Sequence, residues 1–473
     1  MVPQMLKFVS KVVGRRRYSS KSLSFEDEKL VLKYATRDIK PVTLRQLMAH
    51  GRKPLTESQI LESCQYTQNE LPVRLAKRVV AFQRLPFIVG MNPYISRVYY
   101  QYYEAFERLR SFPPVKTLED EADFTKALLR QTQLLADVIP TIAQGFHECK
   151  KYMKTSDITS FIDELIKARI GLRVIGEQHV ELSHQYRELM TEEEGNWAGE
   201  AQGDLKNETP GARDGASVLK DWVGSINTNL KPRRLIQQVC LYIQNVCEMH
   251  YGTSPEYIIN QGISESSSST QDSINMNYNS DTGNNQHNKR NSNNNNGGGG
   301  GENDIVMTYI PSHLEYIVME LLKNSYRATI EHSTRNRRLF HPSINITISK
   351  GVKYVGIRIR DEGGGISKSN MSHVFEYSWT TVKDIHETSA PNMMMGANAS
   401  TGGAGGTFSI QANLDLQAGT GGPIAGLGFG LPMAKLYAGY FGGSLEIMSL
   451  EGHGCDVFLK IPCIDLNMDK LVI

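Results

Sequence analysis

The sequence predicts an α+β protein, in which an N-terminal four-helix bundle is followed by a mixed α/β domain. Two observations carry this prediction. In most of residues 26–190, apolar residues recur every three or four positions, as they do along amphipathic helices. Beyond residue 327, the segments SINITISKG and KYVGIRIRDEGGGI alternate apolar and polar residues, as half-buried strands do. A chain of 473 residues is long enough for both parts to form a core.

The first 24 residues have the composition of a mitochondrial transit peptide. They contain six basic residues, no acid precedes Glu26, and the apolar residues are spaced to form one helical face. The segment RRYSS, which begins at Arg16, resembles a matrix-processing site with Tyr18–Ser19 as the expected cleavage bond. We therefore expect import into the mitochondrial matrix. The alternative is a basic arm that binds an anionic surface.

Residues 25–232 are expected to form the helical bundle, because long amphipathic segments with short connections are typical of bundles. Four such segments occur: QNELPVRLAKRVVAFQRL, ISRVYYQYYEAFERLRSF, FTKALLRQTQLLADVIPTIAQGFHECKKYM and SFIDELIKARIGLRVIGEQHVEL. Prolines 86 and 93 separate the first segment from the second, and prolines 113 and 114 separate the second from the third. Residues 191–220 are acidic, glycine-rich and without period, so we expect a disordered insertion there.

Residues 233–467 are expected to form the second domain. A helix is expected after Pro232 in LKPRRLIQQVCLYIQNVCEMHYG, and a strand near residues 257–259. Residues 264–301 are Ser, Asn and Gly almost throughout, which leaves too little apolar surface to offset the entropy of ordering them. We expect disorder there. The segments SLEIMSL and GCDVFLKIP predict two closing strands.

The composition of the chain argues against several classes of protein. A net charge of +2 is close to balance, so a nucleic-acid binder with a basic surface is not expected. No run of about 18 apolar residues occurs, so no transmembrane helix is expected. The six cysteines are scattered and never form a CxxC pair. We expect free thiols and no zinc site.

The segment HLEYIVMELLKNSYR, which begins at His313, contains the first candidate site. Glu320, Asn324 and Arg327 are four and three residues apart, so a helix places them on one face. A carboxylate, an amide and a guanidinium are costly on a buried helix unless a ligand or a metal satisfies them. The apolar residues that would bury this helix are Leu314, Ile317, Val318, Leu321 and Leu322.

Two glycine-rich turns follow this segment. Asp361 ends a strand and precedes Gly363, Gly364 and Gly365; its carboxylate could accept a hydrogen bond from an exocyclic amine while the glycines let a flat ring approach. A tight turn that needs positive φ explains these glycines equally well. The second turn, GLGFGL at 426–431, precedes a helix, and backbone N–H groups at a helix N-terminus bind phosphates. Residues 382–422 between the turns are expected to be a mobile lid or a loop insertion.

These motifs, in this order, resemble those of the GHKL ATPase superfamily, which includes type II topoisomerases and histidine kinases. The resemblance is closer to one branch, the mitochondrial pyruvate dehydrogenase and branched-chain 2-oxo acid dehydrogenase kinases. In the second domain it is carried by MELLKNSYRATIE, YSWTT and GLGFGLPMAKLYAGYFGGSLEIMSLEGHGCDVFL. In the first, NELPVRLAKRV, IPTIAQG and RIGLRVIGEQHV are similar to that branch's regulatory bundle. The implied fold is a helical bundle followed by a GHKL-type α/β sandwich.

The resemblance implies a protein serine kinase that uses MgATP to phosphorylate and inactivate the E1 alpha subunit of the pyruvate dehydrogenase complex. Glu320 would act as general base and Asn324 would hold Mg²⁺, while Arg327 would add positive charge near the phosphates. The adenine would contact Asp361, Gly363 and Gly365. The ribose and phosphates would contact Thr380, Thr381, Gly426, Leu427, Gly428, Phe429, Gly430 and Leu431. Implied partners are that E1 alpha subunit, an E2 lipoyl domain and a second kinase subunit, in a homodimer or a heterodimer.

Two features depart from the family pattern. Many pyruvate dehydrogenase kinases have a histidine four residues before the base, where this chain has Tyr316. Either Tyr316 or His313 could orient Glu320, and His313 could equally be a capping or surface residue. The chain also has no long tail with an Asp-Trp pair after IPCIDLNMDKLVI, so lipoyl docking through such a tail is not expected.

Other functions remain open at this point. The substrate could be the branched-chain complex, although the Asn- and Gly-rich tract favours a fungal source and with it pyruvate dehydrogenase. A histidine kinase would need a phosphoacceptor histidine followed by Glu and a nearby Pro, which His147 and His179 do not supply. A GHKL clamp would need a transducer domain after the second glycine turn, and none follows.

Overall fold

The computed structural model describes residues 25–39, 43–200, 221–263, 304–377, 379 and 428–463. The expected transit peptide, the expected disordered tract at 264–301 and the expected lid at 382–422 lie outside these residues. Residues 201–220 of the first expected insertion also lie outside them.

Helices form the N-terminal domain. Their bounds are α1 (Phe25–Ala35), α2 (Leu44–Ala49), α3 (Glu57–Gln83), α4 (Phe87–Gly90), α5 (Pro93–Arg110), α6 (Leu118–Leu134), α7 (Val138–Cys149) and α8 (Thr155–Glu200). Thr56 and Thr117 cap α3 and α6 in reciprocal capping boxes, which satisfy N–H groups that a helix start leaves free. The helix α3 packs against α5 and α8, α5 against α7, and α6 against α8. This packing confirms the predicted helical bundle.

Two helix boundaries differ from the expectation. The third predicted segment is divided into α6 and α7, because Pro140 lacks an N–H and its ring would clash with a carbonyl one turn earlier in a continuous helix. The helix α8 continues to Glu200, ten residues into the stretch expected to be a disordered insertion. Four of the ten residues in 191–200 are Glu, which is a good helix former, so an acidic composition was compatible with a longer helix.

A small antiparallel sheet connects the two domains. Its strand β2 (Ile226–Leu230) pairs with β1 (Trp222–Val223) on one side and β4 (Met307–Tyr309) on the other. Gln185 on α8 exchanges two hydrogen bonds of 3.0 Å with the backbone of Gly224, in the turn between β1 and β2. Residues 221–230, which the expected boundaries assign to the bundle, thus pair with a strand of the second domain.

The second domain is a layer of helices on one face of a five-stranded sheet. The sheet has the order β3-β5-β6-β8-β7, and only β3 and β5 are parallel neighbours among the described strands. Its strands are β3 (Tyr257–Ile263), β5 (Ile344–Lys350), β6 (Tyr354–Asp361), β7 (Ser444–Leu450) and β8 (Gly454–Pro462). The helices are α9 (Pro232–Tyr251), α10 (Pro311–Arg335), α11 (Lys368–Met371) and α12 (Gly430–Tyr440). The predicted α+β class and α/β sandwich are confirmed.

Most buried apolar side chains of the two domains form one continuous cluster, from Val31 on α1 to Ile461 on β8, and a small second cluster lies within the bundle around Ile60 and Leu182. On β5, Ile344, Ile346 and Ile348 are fully buried, while the residues between them are more exposed. All six cysteines lie in the described residues, and none forms a disulfide. Among the helices described, none is long and apolar enough to cross a membrane.

Candidate functional site

The candidate site is built around α10, which is held between α9, α12 and the sheet. Pro311 lies in its first turn, where the missing N–H would have no helical partner. The five apolar residues predicted to bury this helix are at most 1% exposed: Leu314, Ile317, Val318, Leu321 and Leu322. Because several faces of α10 are packed, the directions of its polar side chains are fixed.

Glu320 lies in the middle of α10 and is only 8% exposed. Lys323, one turn later, donates from Nζ to Glu320 Oε1 at 2.7 Å and is similarly buried. A buried carboxylate is tolerated here because it is paired and hydrogen-bonded. Lys323 was not among the predicted site residues. Its spacing of three residues from Glu320, which places both on one helical face, is the signal that could have identified it.

The other two residues of the predicted face have different environments. Asn324 is exposed, so its amide can reach a ligand. Arg327 is partly buried and donates from Nε to Glu331 Oε1 at 2.6 Å, one turn along the same helix. The face therefore presents a buried carboxylate, an exposed amide and a guanidinium that is already paired.

Asp361 ends β6 beside α10 and is 4% exposed. The backbone N–H groups of Gly363 and Cys455 donate to its Oδ1 at 3.0 and 3.3 Å, and the hydroxyl of Ser325 on α10 also bonds to this carboxylate. Burial raises the pKa of Asp361, and the three donors offset part of that effect. Donors from three segments thus fix the orientation of the carboxylate.

The glycines after Asp361 form a tight turn that packs against its neighbours. Gly364 and Gly365 have φ values of 84° and 70°, a region that favours glycine. A Cβ on Gly363 would lie 2.5 Å from the Cβ of Ala328, and one on Gly365 would lie 2.2 Å from the carbonyl oxygen of Leu450. Positive φ is therefore a sufficient reason for glycine at 364 and 365, and close packing is a sufficient reason at 363 and 365.

The described part of the second glycine motif comprises Gly428, Phe429, Gly430 and Leu431, at the start of α12. Gly428 has a φ of 78° and packs against the backbone of Trp379. A Cβ on Gly430 would lie only 2.2 Å from Glu320 Oε2. The first residue of α12 thus touches one oxygen of a carboxylate whose other oxygen is bonded to Lys323. The remaining predicted contacts lie outside the described residues: Thr380, Thr381, Gly426 and Leu427.

Tyr316 does not orient Glu320 by any hydrogen bond found within the described residues. Its hydroxyl lies 3.5 Å from Met433 Sδ, and its ring packs on that of Tyr437 with centroids 4.8 Å apart. Burial raises the pKa of Tyr316 well above its ordinary value, so the hydroxyl stays protonated. Tyr316 therefore joins α10 to α12 by packing.

His313 is also part of this aromatic packing, and is neither a capping nor a surface residue. It is 2% exposed, and neither ring nitrogen has a hydrogen-bond partner among the residues described. Its ring lies edge-on to Tyr437 at 5.0 Å. Burial, and secondly the charge of Arg173, lowers the pKa of His313 to about 3, so the imidazole is neutral. Lys323 is therefore the described side chain that holds Glu320.

The described residues contain no cluster of three His, Cys, Asp or Glu side chains that could hold a metal ion. A Mg²⁺ ion bound by the amide of Asn324 would take most of its ligands from phosphates and water, as Mg²⁺ commonly does in phosphoryl-transfer sites. The site combines this exposed amide with two fixed carboxylates and the N-terminus of α12. This set of groups suits a nucleotide with its phosphates at the helix N-terminus.

The chain is similar in sequence to known families along most of its length. Residues 41–227 match a family described as mitochondrial branched-chain alpha-ketoacid dehydrogenase kinase. Residues 309–464 match the histidine kinase-, DNA gyrase B-, and HSP90-like ATPase family. These two segments correspond to the helical bundle and to the sandwich domain.

Individual relatives match across both domains. The chain is 29% identical over 434 residues to the mitochondrial pyruvate dehydrogenase (acetyl-transferring) kinase of Arabidopsis thaliana, covering 91% of this chain and 92% of that protein. It is 26% identical to human isozyme 1 of that kinase, covering 92% and 80%. It is 24% identical to the Drosophila melanogaster kinase, covering 96% and 90%.

The fold and the site define a GHKL-type ATP-binding protein, whose ATPase domain follows a helical bundle. The chain belongs to the mitochondrial pyruvate dehydrogenase and branched-chain 2-oxo acid dehydrogenase kinase family.

Proposed function

We propose that this chain is a mitochondrial protein serine kinase that uses MgATP to phosphorylate, and so inactivate, the E1 alpha subunit of the pyruvate dehydrogenase complex. The contact between Gly430 and Glu320 supports this function most directly. It places a helix N-terminus, which suits phosphate, beside a carboxylate, which can accept a proton. The relatives that match more than nine tenths of this chain are named as pyruvate dehydrogenase kinases.

The residues of the site fit MgATP. Asp361 is fixed by three donors and would accept the adenine amine, beside the close-packed Gly363 and Gly365. The backbone of Gly428–Leu431 would contact the phosphates, with Thr380, Thr381, Gly426 and Leu427 completing the set. Asn324 would hold Mg²⁺, which neutralises charge on the phosphates when bound. Arg327 would act at a distance, because its guanidinium is already paired with Glu331.

Glu320 would act as the general base that accepts the proton of the substrate serine. A bond forms between the serine oxygen and the γ-phosphorus, the bond to the β-phosphate oxygen breaks, and the serine proton passes to Glu320 while ADP leaves. Lys323 holds Oε1, and Gly430 leaves room at Oε2 because it has no side chain. Positioning of the two reacting groups supplies much of the rate enhancement in such reactions.

The remaining assignments concern the cellular setting. Import into the matrix would use the basic segment 1–24, and the kinase would work as a homodimer or a heterodimer, with an E2 lipoyl domain as a further partner. The branched-chain complex is the second candidate substrate, because the family that matches 41–227 is described by that activity. A phosphoacceptor histidine fits less well. His179 is fully buried and bonded to Ser63 and Thr125.

Transfer of labelled phosphate from ATP to purified E1 components tests the proposal. We expect acid-stable phosphoserine on the alpha subunit of pyruvate dehydrogenase, and faster labelling of that subunit than of the branched-chain one. Acid-labile phosphohistidine on the kinase itself would contradict the proposal. Equal or faster labelling of the branched-chain subunit would contradict the choice of substrate but not the proposed reaction.

A further inference from the structure

A polar groove lies where the bundle meets the ATP-binding domain. It has a volume of about 690 Å³ and is lined by the first turns of α8 and by Glu376, which follows α11. The lining residues of α8 comprise two threonines and two serines within 155–160, followed by Asp163, Glu164 and Lys167. None of these residues belongs to the nucleotide site described above. Clefts between domains are frequent binding sites.

The groove is connected to the catalytic carboxylate by direct contacts. The hydroxyl of Tyr377 donates to Asp163 Oδ1 on the groove wall, and the ring of Tyr377 packs on that of Phe429 with centroids 5.1 Å apart. Phe429 immediately precedes Gly430, which touches Glu320. A polypeptide rises about 3.3 Å per residue when extended. Three residues in mutual contact or in sequence, Tyr377, Phe429 and Gly430, separate the groove from Glu320, and on this basis we take the groove to lie within reach of a segment whose serine is at Glu320.

The charge of the groove selects among ligands. Three carboxylates and one ammonium line it, so its field favours a cation. Glu164 lies 3.6 Å from Arg78 Nη1 but remains 64% exposed, and Glu376 lies 3.0 Å from His373 Nδ1 but remains 46% exposed. Both carboxylates can therefore still bind an incoming group. A second nucleotide would be repelled, whereas hydroxyls and carboxylates suit a peptide backbone and basic side chains.

We propose that this groove binds the polypeptide segment that flanks the phosphorylated serine, and that Glu164 and Glu376 bind an Arg or Lys side chain of that segment. The inference rests on the proposed kinase function and adds a determinant of substrate choice. Glu164 and Glu376 bind substrate without touching the reacting atoms. They set the affinity for the protein substrate and leave the chemical step and the ATP site unchanged.

The test compares kinetic constants of the full-length kinase on the purified E1 component of pyruvate dehydrogenase. In the Glu164→Gln, Glu376→Gln double variant we expect KM for E1 to rise about five-fold, since exposed ion pairs contribute modestly each. The kcat and the KM for ATP should stay within two-fold of wild type, which also shows that the variant is folded. Asp123→Asn removes one comparably exposed carboxylate far along the sequence and should change none of these values.

Replacement by Ala of each Arg or Lys within five residues of the phosphorylated serine completes the experiment. One such replacement should raise KM for the wild-type kinase and have no further effect on the double variant, because the two changes remove the same contact. An unchanged KM in the active double variant, or additive effects of the two changes, would overturn the groove assignment. A wild-type kinase that labels no serine would instead overturn the proposed function.

Discussion

At the scale of single residues, Glu320 is distinguished by its two fixed oxygens. Lys323 bonds to Oε1, and the backbone of Gly430 packs against Oε2. A substitution that keeps the shape of the side chain but removes its basicity separates proton transfer from binding. Glu320→Gln should lower phosphate transfer at least about 100-fold, which is a usual contribution of a general base. ATP binding, measured by titration calorimetry, should be nearly unchanged.

The outcome that contradicts this role is transfer by Glu320→Gln near the wild-type rate. Loss of ATP binding together with transfer would instead assign Glu320 to the nucleotide site. Asn324→Ala is a useful comparison because Asn324 is exposed on the same helix and is proposed to hold Mg²⁺. That variant should lose affinity for MgATP as well as activity.

The second prediction at this scale concerns the buried imidazole of His313. Its pKa is lowered to about 3 in the folded protein, against an ordinary value near 6.5. A group whose folded pKa is depressed contributes stability above its unfolded pKa, and that contribution is lost as pH falls towards the folded pKa. Between pH 7 and pH 5, the unfolded chain gains a proton at His313 that the folded protein does not, which costs about 2 kcal/mol.

His313→Phe removes the imidazole that takes up this proton in the unfolded chain, and it retains an aromatic ring beside Tyr437. Relative to wild type, the free energy of unfolding of the variant should therefore improve by about 2 kcal/mol on going from pH 7 to pH 5. Urea unfolding at the two pH values measures the difference. A constant difference across this range would show that His313 is not buried in its neutral form.

At this scale, the sequence predicted the burial of side chains whose spacing follows the period of a helix. The spacing of Leu314, Ile317 and Val318 predicts a buried helix, and all three are fully buried. The contact of Gly430 with Glu320 Oε2 and the surroundings of His313 were not predictable, because they depend on α12, which lies more than a hundred residues later in the chain. Tertiary packing, which spacing along one helix does not encode, decides such contacts.

At the scale of elements, the turn after β6 follows Asp361, which lies between α10 and β8, and packs against the end of β7. Gly365 has a φ of 70°, and an added Cβ would lie 2.2 Å from a backbone oxygen. Gly252, which ends α9, has a nearly identical φ of 72° but no atom within 4 Å of an added Cβ. Substitution of Gly252 by Ala therefore introduces backbone strain alone, whereas substitution of Gly365 adds a steric conflict.

Gly252→Ala should cost about 1 kcal/mol of stability, which is the strain of a left-handed alanine. Gly365→Ala should cost more, and it should weaken ATP binding because the turn that carries Asp361 must move. Thermal unfolding and ATP titration of both variants measure these effects. Equal losses of stability, with ATP affinity unchanged in both, would contradict the role of this turn in placing Asp361.

Element boundaries show what periodicity can and cannot predict. The helices α3, α5 and α10 and the strands β5 and β6 follow clear periods of 3.6 and 2, and all were predicted. The strand β1 has two residues and β2 is largely polar, so neither gives a usable alternation. Their formation depends on pairing with β4 and on Gln178 and Gln185 of the bundle, which are contacts between segments distant in sequence.

At the scale of the whole molecule, α12 connects the bundle to Glu320, the proposed general base. Its first residue touches Glu320, and its later residue Tyr437 is hydrogen-bonded to Arg173 on α8. Arg173 is also paired with Glu177, so it is fixed within the bundle. Gly171 lies under the hydroxyl of Tyr440, where a Cβ would be 2.7 Å away. The bundle therefore determines the position of α12, against which the carboxylate of Glu320 packs.

Tyr437→Phe tests this connection, since it removes the hydrogen bond to Arg173 and keeps the ring that packs on Tyr316. A hydrogen bond to a charged group contributes about 1.5–3 kcal/mol, and we expect a loss of stability of about that size. We also expect kcat to fall roughly 3- to 10-fold with little change in KM for ATP, because a displaced α12 would misplace Glu320. Tyr309→Phe is the matched control, as Tyr309 is equally buried but its hydroxyl has no partner within the described residues. It should leave kcat unchanged and stability unchanged or higher, so equal effects of the two variants on kcat would exclude a specific path from the bundle to Glu320.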